Sequence, residues 1–211
     1  MQNYLVFDTE SYAIDGAASY MEPSQAPANY KDPAKIAEYI AQSNAEQLAK
    51  AALDVDLARI VAIGMNDGES THVCLAKNEH EEAAILTAFW AKVNAEPRPL
   101  LVGYNCLNFD LPLLTRRSLY LGVKVPRLQI SRYRHDGIAD MMQVLSFDGM
   151  LRYRGLQFFK KRFALDVPDD PYSGSGIAAL VAAGDWDAVS AHCRLDTLTH
   201  AALAKRIGVI S

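Results

Sequence analysis

The alternation of apolar and polar residues is clearest at the start of the chain, where Asn3-Tyr-Leu-Val-Phe-Asp-Thr-Glu10 is a short run of β-formers. A period of two places Asp8 and Glu10 on one face, at the end of the predicted strand. Further strands are predicted at Leu57–Gly64 and Thr71–Ala76, with Gly68 in the turn between them, and at Leu100–Tyr104. Asp32-Pro33 supplies an N-cap followed by proline at the first helical position, opening an Ala-rich helix to about Leu53. Glu79–Val93 is a second predicted helix. Near the end of the chain, Val189, His192, Asp196, Thr199 and Leu203 fall on one helical stripe. Residues 11–32 are rich in Ala, Ser, Pro and Tyr, lack a steady period, and are expected to form a long loop that could cover a substrate, with Tyr12, Tyr20 and Tyr30 as candidates to stack on it.

Three of these elements carry chemistry. Asp8 and Glu10 repel each other, and burying the pair without a cation costs on the order of several kcal/mol, so the pair implies either a metal or a solvated strand end. The strand Leu100–Tyr104 runs directly into Asn105-Cys-Leu-Asn-Phe-Asp110, the kind of strand-to-helix junction at which α/β proteins place their sites. The plainer reading of that junction is a helix cap by Asn108 or Asp110 ahead of Pro112, and both can hold together. His192 and Asp196 are spaced to pair along one helix face.

Taken together, Phe7-Asp8-Thr9-Glu10, Asn105-x3-Phe109-Asp110 and His192-x3-Asp196 resemble the three exonuclease motifs of the DEDD superfamily, which includes polymerase proofreading domains and several RNases. The stretch Gly103–Leu114 is similar to the second motif of the exonuclease domains of family-B DNA polymerases and their stand-alone relatives. Residues 137–145 and 155–163 resemble later segments of the same family, and residues 30–64 are similar to a variant associated with phage or prophage exonucleases. The resemblance implies an RNase H-like α/β fold: a central mixed five-stranded sheet flanked by helices, here forming one domain over residues 1–211 with a loop-plus-helix insertion at about 11–54. It also implies a 3′–5′ exonuclease that hydrolyses phosphodiester bonds from the 3′ end of DNA, single-stranded or frayed, releasing nucleoside 5′-monophosphates.

By the same resemblance, Asp8, Glu10, Asp110, His192 and Asp196 are the catalytic set. Asp8, Glu10 and Asp196 would hold one divalent ion, Asp8 would bridge to a second, and Asp110 would assist through ordered water. Four hard oxygen donors suit Mg²⁺ or Mn²⁺, and no Cys/His cluster offers a zinc alternative. Thr9, Asn105 and Phe109 would contact the nucleic acid. Superfamily members usually carry a Tyr one turn before the last Asp, or a His with four intervening residues. His192 stands at the Tyr-type position, so spacing of one type is joined to chemistry of the other. An imidazole with a pKa near ~6.5 can accept a proton from water, whereas a phenol near ~10 mainly orients it.

Composition refines this picture. Twenty-one Lys and Arg against 25 Asp and Glu give a net charge of −4, an unpromising total for a nucleic-acid binder. The charge is unevenly spread: Leu111–Phe163 holds eleven basic residues and three Asp, a local +8 that leaves −12 elsewhere. Arg152, Arg154, Lys160, Lys161 and Arg162, interleaved with Tyr153, Phe158, Phe159 and Phe163, are candidates for phosphate contacts and base stacking; a solvated basic helix face is the alternative. Cys74, Cys106 and Cys193 form no metal pattern and are expected to be free thiols in a reducing, cytoplasmic setting. No apolar stretch reaches membrane-spanning length and no signal segment opens the chain. With the resemblance, the expected partners are DNA, single-stranded or at 3′ ends, with RNA as the alternative, and replication or recombination proteins, not a membrane. An exoribonuclease with the same metals, and a catalytically silent RNase H-like binding module, are the alternatives the sequence leaves open.

Overall fold

The computed structural model describes residues 3–130 and 135–211. Five strands form one mixed sheet in the order β3-β2-β1-β4-β5: β1 is Tyr4–Ala13, β2 Ala58–Asn66, β3 Thr71–Leu75, β4 Leu100–Gly103 and β5 Ile138–Asp140. β1, β2 and β3 pair antiparallel, whereas β4 runs parallel to β1 and β5 parallel to β4. The helices are α1 Pro33–Ala49, α2 Glu79–Val93, α3 Asp110–Tyr120, α4 Met141–Ser146, α5 Leu156–Arg162, α6 Ile177–Ala183 and α7 Trp186–Arg206.

Alternation along β1 builds two cores at once. Leu5 and Phe7 pack into a cluster with Leu86, Phe89 and Trp90 of α2 and Leu111, Leu113 and Leu114 of α3. Tyr4 and Val6 point the other way, to Ala201, Leu203 and Ala204 of α7. Asp8 and Glu10 continue the parity of Tyr4 and Val6, which is how the period of two delivers both carboxylates to the α7 side of the sheet. The expectation that the last helix crosses the first strand is met: α7 packs on β1, β2 and β3.

β1 is longer than the sequence pattern suggested. It continues through Ala13, so Asp8 and Glu10 are interior strand residues, and Tyr12 lies in the strand with the Arg59 guanidinium 5.4 Å from its ring centre. The polar residues past Glu10 hide the strand from a pattern of hydrophobicity, and pairing with β2 overrides it. The register with β2 shifts after Glu10, skipping Val61, a bulge beside the two carboxylates. The two acids lie at an open edge nonetheless, because β4 pairs with β1 only over Tyr4–Val6.

Between β1 and β2 lie a 3-10 turn at Ala17–Tyr20, α1, and a second 3-10 turn at Ala51–Leu53, so the helix expected to reach about Leu53 ends at Ala49 and tightens into that turn. Asp32 caps α1 by accepting the Ala34 N–H at 2.9 Å, with Pro33 behind it, as the sequence implies. No residue of α1 is buried, so the helix contributes little to either core.

α7 approaches β2 closely at Gly64, where a β-carbon would lie 1.9 Å from Thr197 Oγ1 and 3.1 Å from Cys193 Sγ. Gly64→Ala is therefore expected to destabilise the chain by about 1–3 kcal/mol through overpacking, and Thr197→Ala in the same chain should recover part of the loss. Urea unfolding of the two variants measures this; a neutral Gly64→Ala would contradict the packing described.

Candidate active site

The site is built where β1 outruns β4. Asp8 and Glu10 project from its α7 side, and Thr9, between them, donates its hydroxyl to Asp110 Oδ1 at 2.6 Å. Asp110 opens α3, and its carboxylate is turned to Thr9; Phe109 stands at the N-cap position and makes no side-chain cap. The capping reading of Asp110 is thus replaced by a link between the second element and the first strand.

The loop that delivers Asp110 is held by Asp140, an almost fully buried residue at the end of β5. Its Oδ1 accepts the N–H of Asn105 at 2.9 Å and its Oδ2 that of Leu107 at 3.1 Å, and Oδ1 also caps α4 through Met142 N–H. Asn105 takes a left-handed φ of 60°, a conformation Asn tolerates better than most residues, and its side-chain oxygen accepts from Asn108. Phe109 is half-buried against the α2/α3 core. Gly137–Asp140 thus adds a strand and an anchor ahead of the short helix that residues 137–145 suggested.

From α7 come His192, Asp196 and His200, one turn apart. His192 Nε2 lies 3.4 Å from Glu10 Oε1 and 3.8 Å from Asp196 Oδ2. Its Nδ1 is hydrogen-bonded to Asp170, a residue the motif analysis missed. His200 Nδ1 lies 3.2 Å from the Phe7 carbonyl and 3.9 Å from Asp8 Oδ1. Asp170 sits in an Asp-Asp-Pro-Tyr turn whose sequence signal is indistinguishable from an ordinary surface turn, and His200 has the apolar neighbours of a core residue.

Electrostatically the cluster is strained. Burial, reinforced by Glu10, Asp110 and Asp196, pushes Asp8 well above the usual carboxylate range. Burial also raises Glu10, with Asp196, Asp110 and Asp170 adding to the effect. Asp110 is pushed up to about 6 by burial, against the opposing pull of the Thr9 hydroxyl. Burial pushes His200 down, towards the neutral imidazole. Among the described residues, the only basic side chains paired with Asp8, Glu10 or Asp196 are His192 and His200. Oxygen donors crowded in this way, without a lysine or arginine, fit a hard divalent cation. Glu10, His192 and Asp196 each offer a ligand atom within 4.8 Å of the others, as do Asp8, Glu10 and Cys193. Cys193 and Cys106 are buried, and burial raises both thiols well above their ordinary value, in keeping with packing roles.

The expected phosphate contacts divide. Arg152, Arg154 and Lys161 are exposed, with the Arg154 guanidinium 4.9 Å from the Phe158 ring centre. Lys160 departs from the expectation: its ammonium is turned inward, donating to Pro168 O at 2.7 Å and Asp169 Oδ1 at 3.4 Å. Helical periodicity alone cannot tell an inward lysine from its outward neighbour when its partner lies in a later loop. Arg132 and Arg134, part of the basic stretch, lie outside the described residues.

A carboxylate raised by folding stabilises the metal-free protein below its unfolded pKa of about 4, and that contribution is lost as pH rises through the folded value. For Asp110 the window runs from about 4 to about 6. Asp110→Asn should therefore gain stability relative to wild type between pH 5 and pH 8, by roughly 1 kcal/mol, in urea unfolding with EDTA. An effect independent of pH would contradict the repulsion described.

No curated protein matches the sequence. Among solved structures, the chain is similar to the family B DNA polymerase from the hyperthermophilic archaeon Pyrobaculum calidifontis, with a TM-score of 0.64 and 17% identity. The match covers 98% of this chain and 24% of the polymerase, and what it shares is the fold: the mixed five-stranded sheet with flanking helices expected of an RNase H-like domain. Residues 51–207 match a family described as predicted 3′–5′ exonucleases related to the exonuclease domain of PolB. That span holds Asp110, His192 and Asp196 and begins after Asp8 and Glu10, which the sheet brings to them. With well over half its length matched, the chain belongs to this family of 3′–5′ exonucleases related to the PolB exonuclease domain.

Proposed function

We propose that this exonuclease shortens DNA from the 3′ end, acting as one domain on single-stranded or frayed ends and releasing nucleoside 5′-monophosphates with Mg²⁺ or Mn²⁺. The observation that carries the reading is the convergence of Asp8, Glu10, Asp110 and Asp196 at the open edge of β1 without a lysine or arginine partner among the described residues. The family acts on nucleic acid and depends on metal; of two divalent ions, Asp8, Glu10 and Asp196 would hold one, and Asp8 would reach the second with Asp110 assisting through ordered water. When bound, such ions lower the pKa of the attacking water and neutralise charge on the attacking and leaving oxygens.

The chain's own residues supply orientation and proton transfer. Thr9 holds the Asp110 carboxylate through its Oδ1 and would leave the other oxygen for the site. Burial pushes His200 down and so disfavours a second positive charge beside Asp8. His192 Nε2, beside Glu10 and Asp196, would accept a hydrogen bond or proton from the attacking water. Support for a single-stranded substrate comes from the segment around α4 and α5. Phe147, Met150, Leu151, Tyr153 and Phe158 are exposed there among Arg152, Arg154 and Lys161, a combination that suits stacked bases and their phosphates. The Tyr104 hydroxyl donates to Arg154 O, and its ring stacks on His200, so this segment is tied to the carboxylate cluster.

A time course on 5′-labelled single-stranded DNA and RNA with Mg²⁺, Mn²⁺ or EDTA tests the reading. Wild type is expected to produce a metal-dependent ladder on DNA that Asp8→Ala abolishes. His192→Phe should lower turnover by about 10²-fold or more while leaving DNA affinity little changed. Cleavage confined to RNA would reassign the substrate, and retained binding without cleavage of either polymer would refute the proposed reaction.

A further inference from the structure

Asp170 lies outside every motif that led to the site, yet its side chain is 7% exposed and faces His192. Both of its oxygens are engaged. Oδ1 accepts the N–H of Tyr172 at 2.9 Å, and Oδ2 is hydrogen-bonded to His192 Nδ1. The turn that carries it is fastened from α5, where the buried Lys160 donates to Pro168 O at 2.7 Å and reaches Asp169 Oδ1 at 3.4 Å. Gly174, in the 3-10 turn that follows, lies near the other ring nitrogen: a β-carbon there would stand 4.0 Å from Nε2.

We propose that Asp170 is a positioning residue for His192, holding the imidazole by its Nδ1 proton so that Nε2 is turned to the side of the site where Glu10 and Asp196 stand. The inference rests on the exonuclease reading and names a residue outside the four carboxylates on which the reaction depends. An ionised carboxylate can only accept, so the nitrogen facing Asp170 is the one that donates. Nε2 is the nitrogen on the other side of the ring, 3.4 Å from Glu10 Oε1 and 3.8 Å from Asp196 Oδ2, where a water or ligand of the site would lie between them. A carboxylate behind an imidazole fixes both the tautomer and the plane of the ring. Lys160 acts one step further back. Its ammonium anchors the Asp170 turn, which accounts for an inward lysine in a helix whose Lys161 and Arg162 face solvent.

The test combines a spectroscopic and a kinetic reading on the full chain. Nitrogen-15 imidazole spectra are expected to show His192 protonated at Nδ1 and bare at Nε2. Asp170→Asn, whose amide can donate as well as accept, should give a mixture of tautomers. In cleavage assays Asp170→Asn should lower kcat by about 10–100-fold with little change in KM. Added to His192→Phe, the same substitution should cost almost nothing, because the residue through which it acts is gone. A wild-type proton on Nε2, a spectrum unaltered in Asp170→Asn, or an undiminished kinetic cost in the His192→Phe background would overturn the proposal. Should Asp170→Asn fail to fold, the wild-type spectrum alone decides. A wild type that cleaves nothing would defeat the exonuclease reading, while its imidazole spectrum would still support or refute the Asp170 contact.

Discussion

Asp8, Glu10, Asp110 and Asp196 carry like charges into a place from which much of the water is excluded, and the rest of the chain is arranged around keeping them there. Left to themselves they would separate or take up protons, as the upward displacement of Asp8, Glu10 and Asp110 records. What prevents separation is the framework. β1 is paired on one side by β2 from Val6 to Ala13 and on the other by β4 only as far as Val6, so its acids are held by one neighbour and lie at an open edge. α7 comes close enough to complete the set because Gly64 has no side chain.

The supports lie outside the cluster. Asp140 ties the Asn105–Leu107 backbone to β5, and with it the start of α3 and Asp110. On the opposite face, Glu82, fully buried on α2, accepts from Ile60 N–H of β2 and from Arg117 Nε and Nη2 of α3. Such a pair contributes little net stability, but removing one partner strands a buried charge, at a cost of about 3–5 kcal/mol. It joins α2, α3 and β2, so the helix that bears Asp110 is registered against the sheet that bears Asp8. Charge is thus compensated by arginine in the framework and left uncompensated by arginine or lysine, among the described residues, in the site.

The sequence revealed what repeats and hid what depends on distant partners. Alternation exposed the β1 core face, the 3.6-residue stripe exposed Val189, His192 and Asp196, and Asp32-Pro33 marked the start of α1 at the residue where it begins. Three motifs in order were enough to bring Asp8, Glu10, Asp110, His192 and Asp196 forward before any contact was known. The extension of β1 to Ala13 was not legible, because it is imposed by β2 on residues without a strand pattern. The inward turn of Lys160 and the engagement of Asp170 were equally silent, since each depends on a loop whose path no local spacing encodes. Gly64 gave no hint of its role either; its meaning is the proximity of Thr197, more than a hundred residues later.

Divalent ions bound among the four carboxylates would relieve their mutual repulsion. The most direct measurement is calorimetric titration of the metal-free chain with Mn²⁺ at pH 6 and pH 8 in buffers of different ionisation heat, for wild type and Asp8→Ala. Carboxylates raised by burial must lose protons to coordinate, so binding should release more protons at pH 6 than at pH 8 and should be lost in the variant. Binding without proton release at pH 6, or binding that survives Asp8→Ala unchanged, would contradict the account.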